Sequence, residues 1–166
     1  MRYKQFRVMK SKVHFSLYCK VITVVVVSVL LIGIIASRHQ ISKCILLTAI
    51  TFSTTLAGLY YCPMSVTADS DSVKINRLLS GNKTFKYSDI ESVDSCYPCA
   101  GGLRICGSSG FFGYWGYFSD VVIGSYFGYY ANRSQCFFIK LKNKRQYVIS
   151  CENHIEIVKL IQSNLK

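Results

Sequence analysis

The sequence predicts an α+β protein in which a two-helix transmembrane hairpin precedes a small antiparallel β-barrel capped by a C-terminal helix. Three observations predict this fold class. Two long uncharged runs lie within residues 1–65, short alternating apolar runs fill most of residues 66–150, and apolar residues then recur at helical spacing. The chain has 166 residues, of which 51% are hydrophobic and 17% charged, so it is more apolar than a typical soluble domain and is not intrinsically disordered.

Charge divides the chain near residue 65. Residues 1–65 contain eight basic and no acidic residues, whereas residues 66–166 contain twelve basic residues and all eight acidic ones. The net charge of +12 could indicate a nucleic-acid partner, but most of it lies beside apolar runs. The acidic surface of a membrane is therefore the expected partner, and nucleic acid is not.

The first 65 residues predict two membrane-spanning helices, at about 15–36 and 44–64. The first run is interrupted only by Lys20, which can reach the interface from near a helix end, and the second run has no charge before Pro63 marks its exit. The short segment 37–43 can join only antiparallel helices, which gives a hairpin. The alternative is a cleaved signal peptide followed by one span, but the basic region would then be unusually long and the cleavage site poor.

Basic residues also predict the orientation of this hairpin. Six precede or begin the first helix and two lie in the connecting loop. The positive-inside rule then places the N-terminus in the cytoplasm, the loop outside and the domain after residue 65 in the cytoplasm. We therefore expect a multi-pass protein of the inner (plasma) membrane with a cytoplasmic soluble domain.

The second part of the chain, residues 66–166, predicts six or seven short strands. One hairpin is expected around the turn Ser80-Gly81-Asn82, and another around Asn143-Lys144. Alternation predicts the strand-forming runs at 72–79, 83–87, 90–93, 103–106, 135–142 and 145–150.

The chain ends with a predicted helix at about 153–165. Ile155, Val158 and Ile161 recur at helical spacing, as does a final leucine. Asn153 followed three residues later by Glu156 is typical of a capping box. A helix in this place can cover the open end of a small barrel.

The order of these elements resembles that of bacterial pleckstrin-homology (PH)-like domains. The hairpin at 72–90, a glycine-aromatic centre and Tyr147–Ser150 before a terminal helix carry the resemblance, and 107–118 and 124–131 match best. It covers about residues 65–166. Such domains are small, membrane-tethered and often preceded by two spans, so the resemblance implies a PH-like barrel but no particular activity.

The glycine-aromatic centre has two open interpretations. Residues 101–130 contain eight of the eleven glycines, and residues 111–130 contain ten aromatic residues. They could form a bent hairpin that touches lipid headgroups or packs on the membrane helices, or strands whose rings fill the barrel core. The candidate interface aromatics are Phe111, Phe112, Tyr114, Trp115 and Tyr117.

Cysteines offer the only sign of chemistry. Cys96-Tyr97-Pro98-Cys99 has redox-motif spacing, and Cys106 could add a metal ligand. A redox site would need the motif at the start of a helix, which the following glycines disfavour, and a zinc site lacks a clear fourth ligand. We expect structural thiols and no cofactor.

Basic residues near the ends of the predicted hairpins are candidate contacts for anionic lipid, although ordinary solvated strand ends would look the same. The spacing differs from the phosphoinositide-binding pattern of eukaryotic PH domains, so that activity is not implied. The candidates are Lys74, Lys83, Lys86, Lys140, Lys142, Lys144 and Arg145.

Together these patterns predict a non-catalytic, membrane-anchored PH-like interaction or scaffold module on the cytoplasmic face, with a protein partner or a second copy as its target. One alternative is a thiol-redox or metal-binding membrane protein that uses Cys96, Cys99 and Cys106. Another is an accessory subunit of a membrane transporter, which the hydroxyl-rich second helix would suit.

Overall fold

The chain folds into two long helices and a β domain closed by a third helix. The structure is a computed structural model that describes residues 8–99 and 102–165. Helix α1 (Leu17–Ala36) and helix α2 (Ile41–Tyr61) form a hairpin. Ser16 caps α1 by accepting the Cys19 N–H, and Pro63 begins the next strand because proline cannot continue a helix. Helix α2 occupies 41–61 instead of the predicted 44–64, so it begins and ends three residues earlier.

The segment before α1 also belongs to the β domain, which the sequence did not predict. Strand β1 (Met9–Lys12) pairs antiparallel with strand β2 (Pro63–Ala68), with Lys12 opposite Ser65. The chain thus enters the β domain, leaves it through the two helices and returns.

The strands form two sheets instead of the predicted closed barrel. One sheet has the order β1-β2-β3-β4 and the other the order β5-β9-β10-β8-β7-β6, and in the described residues no ladder joins them. The remaining strands are β3 (Ser72–Arg77), β4 (Lys83–Lys86), β5 (Ile90–Cys96), β6 (Leu103–Gly110), β7 (Gly113–Asp120), β8 (Gly124–Tyr130), β9 (Cys136–Leu141) and β10 (Gln146–Ser150).

The two predicted hairpins are confirmed, because β3 pairs antiparallel with β4 and β9 with β10. The prediction of a purely antiparallel domain is wrong, since β10 runs parallel to β8. The chain leaves β8, passes through a short 3₁₀ turn and forms β9 beyond the place that β10 then fills. This order of strands cannot be read from alternation.

The main apolar core lies between the sheets and helix α3 (His154–Asn164). Ile157, Val158 and Ile161 on α3 are buried, whereas Ile155, which the periodicity assigned to the same face, is exposed. The predicted capping box is absent: Asn153 makes no side-chain cap, and its backbone N–H donates to Ser11 Oγ of the N-terminal segment at 3.0 Å.

A second apolar cluster lies within the six-stranded sheet. Its buried aromatic residues are Tyr114, Phe118, Tyr126 and Tyr130, and Cys136 is buried beside them. Strands β5 and β6 are the two edges of this sheet, so the segment between them connects one edge to the other. Because these four rings are buried in the cluster, much of the glycine-aromatic centre belongs to the core of the β domain.

Candidate functional site

The β domain contacts the two long helices through the turn between β6 and β7. This turn, Gly110–Gly113, is called the hairpin tip below. The backbone N–H of Phe112 donates to Thr23 Oγ1 of α1 at 3.0 Å, and that hydroxyl donates to the Cys19 carbonyl at 2.7 Å. Phe112 has a φ of 53°, so the turn adopts a left-handed conformation to present this N–H. The hydroxyl of Thr23 joins the tip to α1.

Helix α2 approaches the hairpin tip at a glycine. A Cβ atom on Gly58 would lie 2.6 Å from Phe112 Cδ2 and 3.1 Å from Phe111 Cε1. The ring of Phe112 therefore occupies the space that a side chain would need. Small residues allow such close approach between apolar elements in membrane helices.

Aromatic stacking extends the contact on both sides of the tip. Trp115 stacks on Tyr61 of α2 with ring centroids 5.0 Å apart, and its indole N–H donates to the Phe111 carbonyl at 3.0 Å. Tyr114 stacks on Tyr18 of α1 with centroids 6.4 Å apart. Each helix is thus contacted by the tip and by a ring of β7.

The rings of the glycine-aromatic centre lie in two places, against the helices and in the core of the β domain. Among the five candidate interface aromatics, Phe111, Phe112 and Trp115 pack on the helices. Tyr114 does so while buried in the second cluster. Tyr117 does not belong to this contact: it is 58% exposed and packs edge-on against Phe127 of β8.

Direct backbone connections fix the helices to the β domain. Ser16 N–H donates to the Ala131 carbonyl at 3.0 Å just before α1, and Val13 N–H donates to the Met64 carbonyl at 3.0 Å. A single residue, Cys62, separates α2 from β2. The domain therefore sits directly on the helices without a linker that could swing.

The seven basic candidates for lipid contact lie at different places on the β domain. The turn between β9 and β10 carries Lys142, Lys144 and Arg145. It lies beside the β7–β8 turn, because β10 runs parallel to β8. That end is separated from the hairpin tip by the length of β7, about 24 Å for eight residues. These bases face away from the helices.

The other basic candidates form ion pairs, contact a ring or lie at a strand end. Lys140 Nζ lies 2.7 Å from Glu91 Oε1, and Lys74 Nζ lies 2.6 Å from Asp69 Oδ2. Lys86 is opposite Ser72, at the end of β3 away from α2. Lys83 lies over the ring of Tyr147, 5.7 Å from its centroid. Sequence reasoning could list these bases but not the end of the domain each would occupy.

The two cysteines of the C-x-x-C segment lie in different surroundings. Cys96 ends β5 directly opposite Cys136 of β9, whereas Cys99 is exposed three residues after the end of β5. Burial raises the pKa of Cys96 to about 12, and the charge of Asp120 adds to the shift. A nucleophilic thiol needs a lowered pKa, so this environment opposes thiolate chemistry at Cys96.

Asp120 accepts hydrogen bonds from the backbone of two segments. Its carboxylate accepts the backbone N–H of Cys99 at 2.7 Å and that of Val122 at 2.8 Å. Burial raises the pKa of this carboxyl, but the backbone donors, including Ile123, outweigh it and the pKa is lowered overall. In the described ranges, no three His, Cys, Asp or Glu residues lie together as a metal site would need.

Three hydroxyls of α2 bond within their own helix. Thr48, Thr51 and Thr54 each donate to the carbonyl four residues earlier, at 2.8 Å. These bonds satisfy the hydroxyls without a second helix, so they supply no specific support for a transporter subunit.

Comparison with known families assigns the β domain. Residues 64–165 match the family model described as the bacterial PH domain, which is more than half of the chain. The chain therefore belongs to the bacterial PH domain family, and its β domain with a C-terminal helix is consistent with a PH-like fold. Two helices at its N-terminus are long and apolar enough to span a membrane. No curated protein and no solved structure matches the chain.

Proposed function

We propose that this protein is a non-catalytic interaction module whose PH-like domain is seated on the cytoplasmic surface of the plasma membrane by α1 and α2. The observation that carries the proposal is the direct docking of the β domain on two apolar helices through the hairpin tip. PH-like domains are generally non-catalytic, and the raised pKa of Cys96 agrees with a structural thiol.

The surfaces of α1 and α2 support membrane insertion. At 20 and 21 residues, each helix matches the roughly 30 Å hydrocarbon core of a bilayer. Large apolar side chains project outward along both, and in water they would form an apolar patch far larger than monomeric soluble proteins carry. Examples of these exposed side chains are Val24, Val29, Ile32, Ile35, Leu46 and Phe52.

Pairing between β1 and β2 supports a two-span topology. Strand β1 precedes α1 and β2 follows α2, so both ends of the helical hairpin must lie on the same side of the membrane. An even number of crossings satisfies this requirement, and a single span does not. The excess of basic residues before α1 favours the cytoplasm for that side.

Accessibility of thiols tests the sidedness. Cys99 and Cys106 are exposed on the β domain, so a membrane-impermeant maleimide should modify them only after permeabilisation of the cells. An Arg38→Cys variant provides the matched control, since this residue lies in the α1–α2 turn and should react in intact cells. Modification of Cys99 in intact cells would overturn the cytoplasmic placement.

The interaction role predicts a contact at the end of the domain away from the helices. Val121 and Val122 in the β7–β8 turn are almost fully exposed there. A photo-crosslinking amino acid at position 122 in cells should give a discrete adduct with another protein or a second copy. The same residue at position 159, on the exposed face of α3, should not. If position 122 gives no adduct, this part of the proposal fails.

A further inference from the structure

A second element of the β domain lies beside the end of α2, and it belongs to the four-stranded sheet instead of the sheet that contains β6. It is the connection between β3 and β4, residues 78–82, called the β3–β4 loop below. Leu78 N–H donates to the carbonyl of Cys62, the residue that follows α2, at 3.3 Å. The first residue of the loop is therefore tied to the end of the helix.

Arg77 gives the loop a fixed shape. Its Nε and Nη2 atoms both donate to the Gly81 carbonyl, at 3.1 and 2.6 Å, which closes the loop on itself. The guanidinium also lies over the ring of Tyr60, 5.6 Å from its centroid. One side chain thus holds the loop closed and against the last turn of α2.

The closed loop presents two adjacent leucines outward. Leu78 is 48% exposed and Leu79 is 54% exposed, and Tyr60 at the end of α2 and Met64 of β2 are exposed as well. The loop already contains the polar residues typical of a turn, Ser80-Gly81-Asn82. The two leucines before them are therefore not needed to form the turn. An exposed apolar pair at the start of an ordered loop indicates a partner surface.

We infer that the β3–β4 loop inserts Leu78 and Leu79 into the interfacial layer of the lipid bilayer. The bilayer is the occupant because the backbone of Leu78 is bonded to the residue that follows α2, and because α2 carries exposed large apolar side chains as far as Tyr60. Arg77 and Tyr60 beside it are residue types that favour the membrane interface. The inference rests on the proposed function, since it requires α2 to span the membrane.

The hairpin tip contacts the helices, and this loop would add a second contact, with the lipid around the end of α2. The tip lies against Gly58 and Thr23, and the loop lies beside Tyr60 and Cys62. Two separate contacts around the helix ends would hold the domain in one orientation on the membrane.

Photo-crosslinking to lipid tests the inference in the full chain. A benzophenone amino acid would replace Leu79 in one variant and Leu78 in a second, with the protein in vesicles of phosphatidylcholine and phosphatidylglycerol. Val122 provides the matched control, because it is an apolar residue that is 90% exposed at the far end of the domain. Leu17, exposed on the first turn of α1, provides the positive control.

We expect lipid adducts, seen as a mass shift, at positions 79, 78 and 17, with at least about tenfold less adduct at 122. Adducts at 17 but none at 79 or 78 would overturn the inference and leave membrane insertion intact. If alkaline carbonate extracts the protein from the vesicles and position 17 also fails, the proposed function itself falls. An Arg77→Ala variant should reduce the adduct at 79 because the loop loses both bonds that close it.

Discussion

Replacing Gly58 with alanine tests the contact between the hairpin tip and α2. The new Cβ would lie 2.6 Å from Phe112 Cδ2 and 3.3 Å from its Cγ, so the whole ring has to move. The backbone of Phe112 is held by the bond from its N–H to Thr23, so the overlap must be relieved by moving the ring out of its present contact. Overpacking of this kind costs about 1–3 kcal/mol.

Gly33→Ala is the matched control for this change. Gly33 also lies inside a helix, but a Cβ there would meet only Leu47 Cδ1, at 3.8 Å. Alanine favours a helix over glycine by about 1 kcal/mol in both variants, so this gain cancels when they are compared. The difference in the free energy of unfolding between the two variants should therefore equal the overpacking cost. That cost corresponds to a factor of about 5–150 in the equilibrium constant.

Trp115 is the natural probe because it is the only tryptophan and stacks on Tyr61 across the same contact. Thermal unfolding in mild detergent, followed by its fluorescence, should show Gly58→Ala less stable than Gly33→Ala. The emission of the folded Gly58→Ala protein should shift to the red as water reaches the indole. Equal stability with unchanged emission would refute the packing at the tip.

Three further changes probe the bonds that hold the domain together. Thr23→Val removes the acceptor of the hairpin-tip amide and should cost about 1–3 kcal/mol in thermal unfolding, whereas Thr48→Val, which alters an exposed bond within one helix, should stay within about 0.5 kcal/mol. Because the pKa of Asp120 is lowered in the folded protein, its stabilisation is present above the ordinary value of 3.8 and is lost as the pH falls through the folded value; pH-dependent unfolding of Asp120→Asn should lack this loss. A Cβ on Gly107, which has a φ of +121°, would overlap the backbone carbonyl of Trp115 on the neighbouring strand, so Gly107→Ala should destabilise by about 3 kcal/mol or more or prevent folding. Gly81→Ala, with open space around it, should unfold like the wild type.

The helices, the two hairpins and the terminal helix could be predicted because each depends on local pattern. The turn Ser80-Gly81-Asn82 and the alternation on either side determine β3 and β4 within a few residues. Strand β1 was missed because its apolar positions are few, and its lysines read as a flank of the membrane helix. Its place depends on β2, more than fifty residues away, and local pattern contains no such information.

The candidate site was predictable in residue type but not in placement. Aromatic residues at 111–115 indicated an interface, and the structure brings them to the helices. The basic residues were grouped by nearness in sequence. The parallel pairing of β8 and β10 places the group at 140–145 at the end of the domain away from the helices. Gly58 and Thr23 looked like ordinary helix residues until the hairpin tip was placed against them.

The position of β1 also sets the order in which the protein can be assembled. Its Ser11 hydroxyl accepts the Asn153 N–H, 142 positions later, and at about 5–20 residues per second the ribosome needs about 7 to 28 seconds to supply that partner. During this time both long helices and β2 are complete, so β1 can already pair with β2, but the bond between Ser11 and Asn153 is still missing. Strand β1 is an edge of the four-stranded sheet, and its exposed Lys10 and Lys12 side chains discourage that edge from pairing with other chains. The segment that precedes both helices is therefore among the last parts of the β domain to complete its bonds.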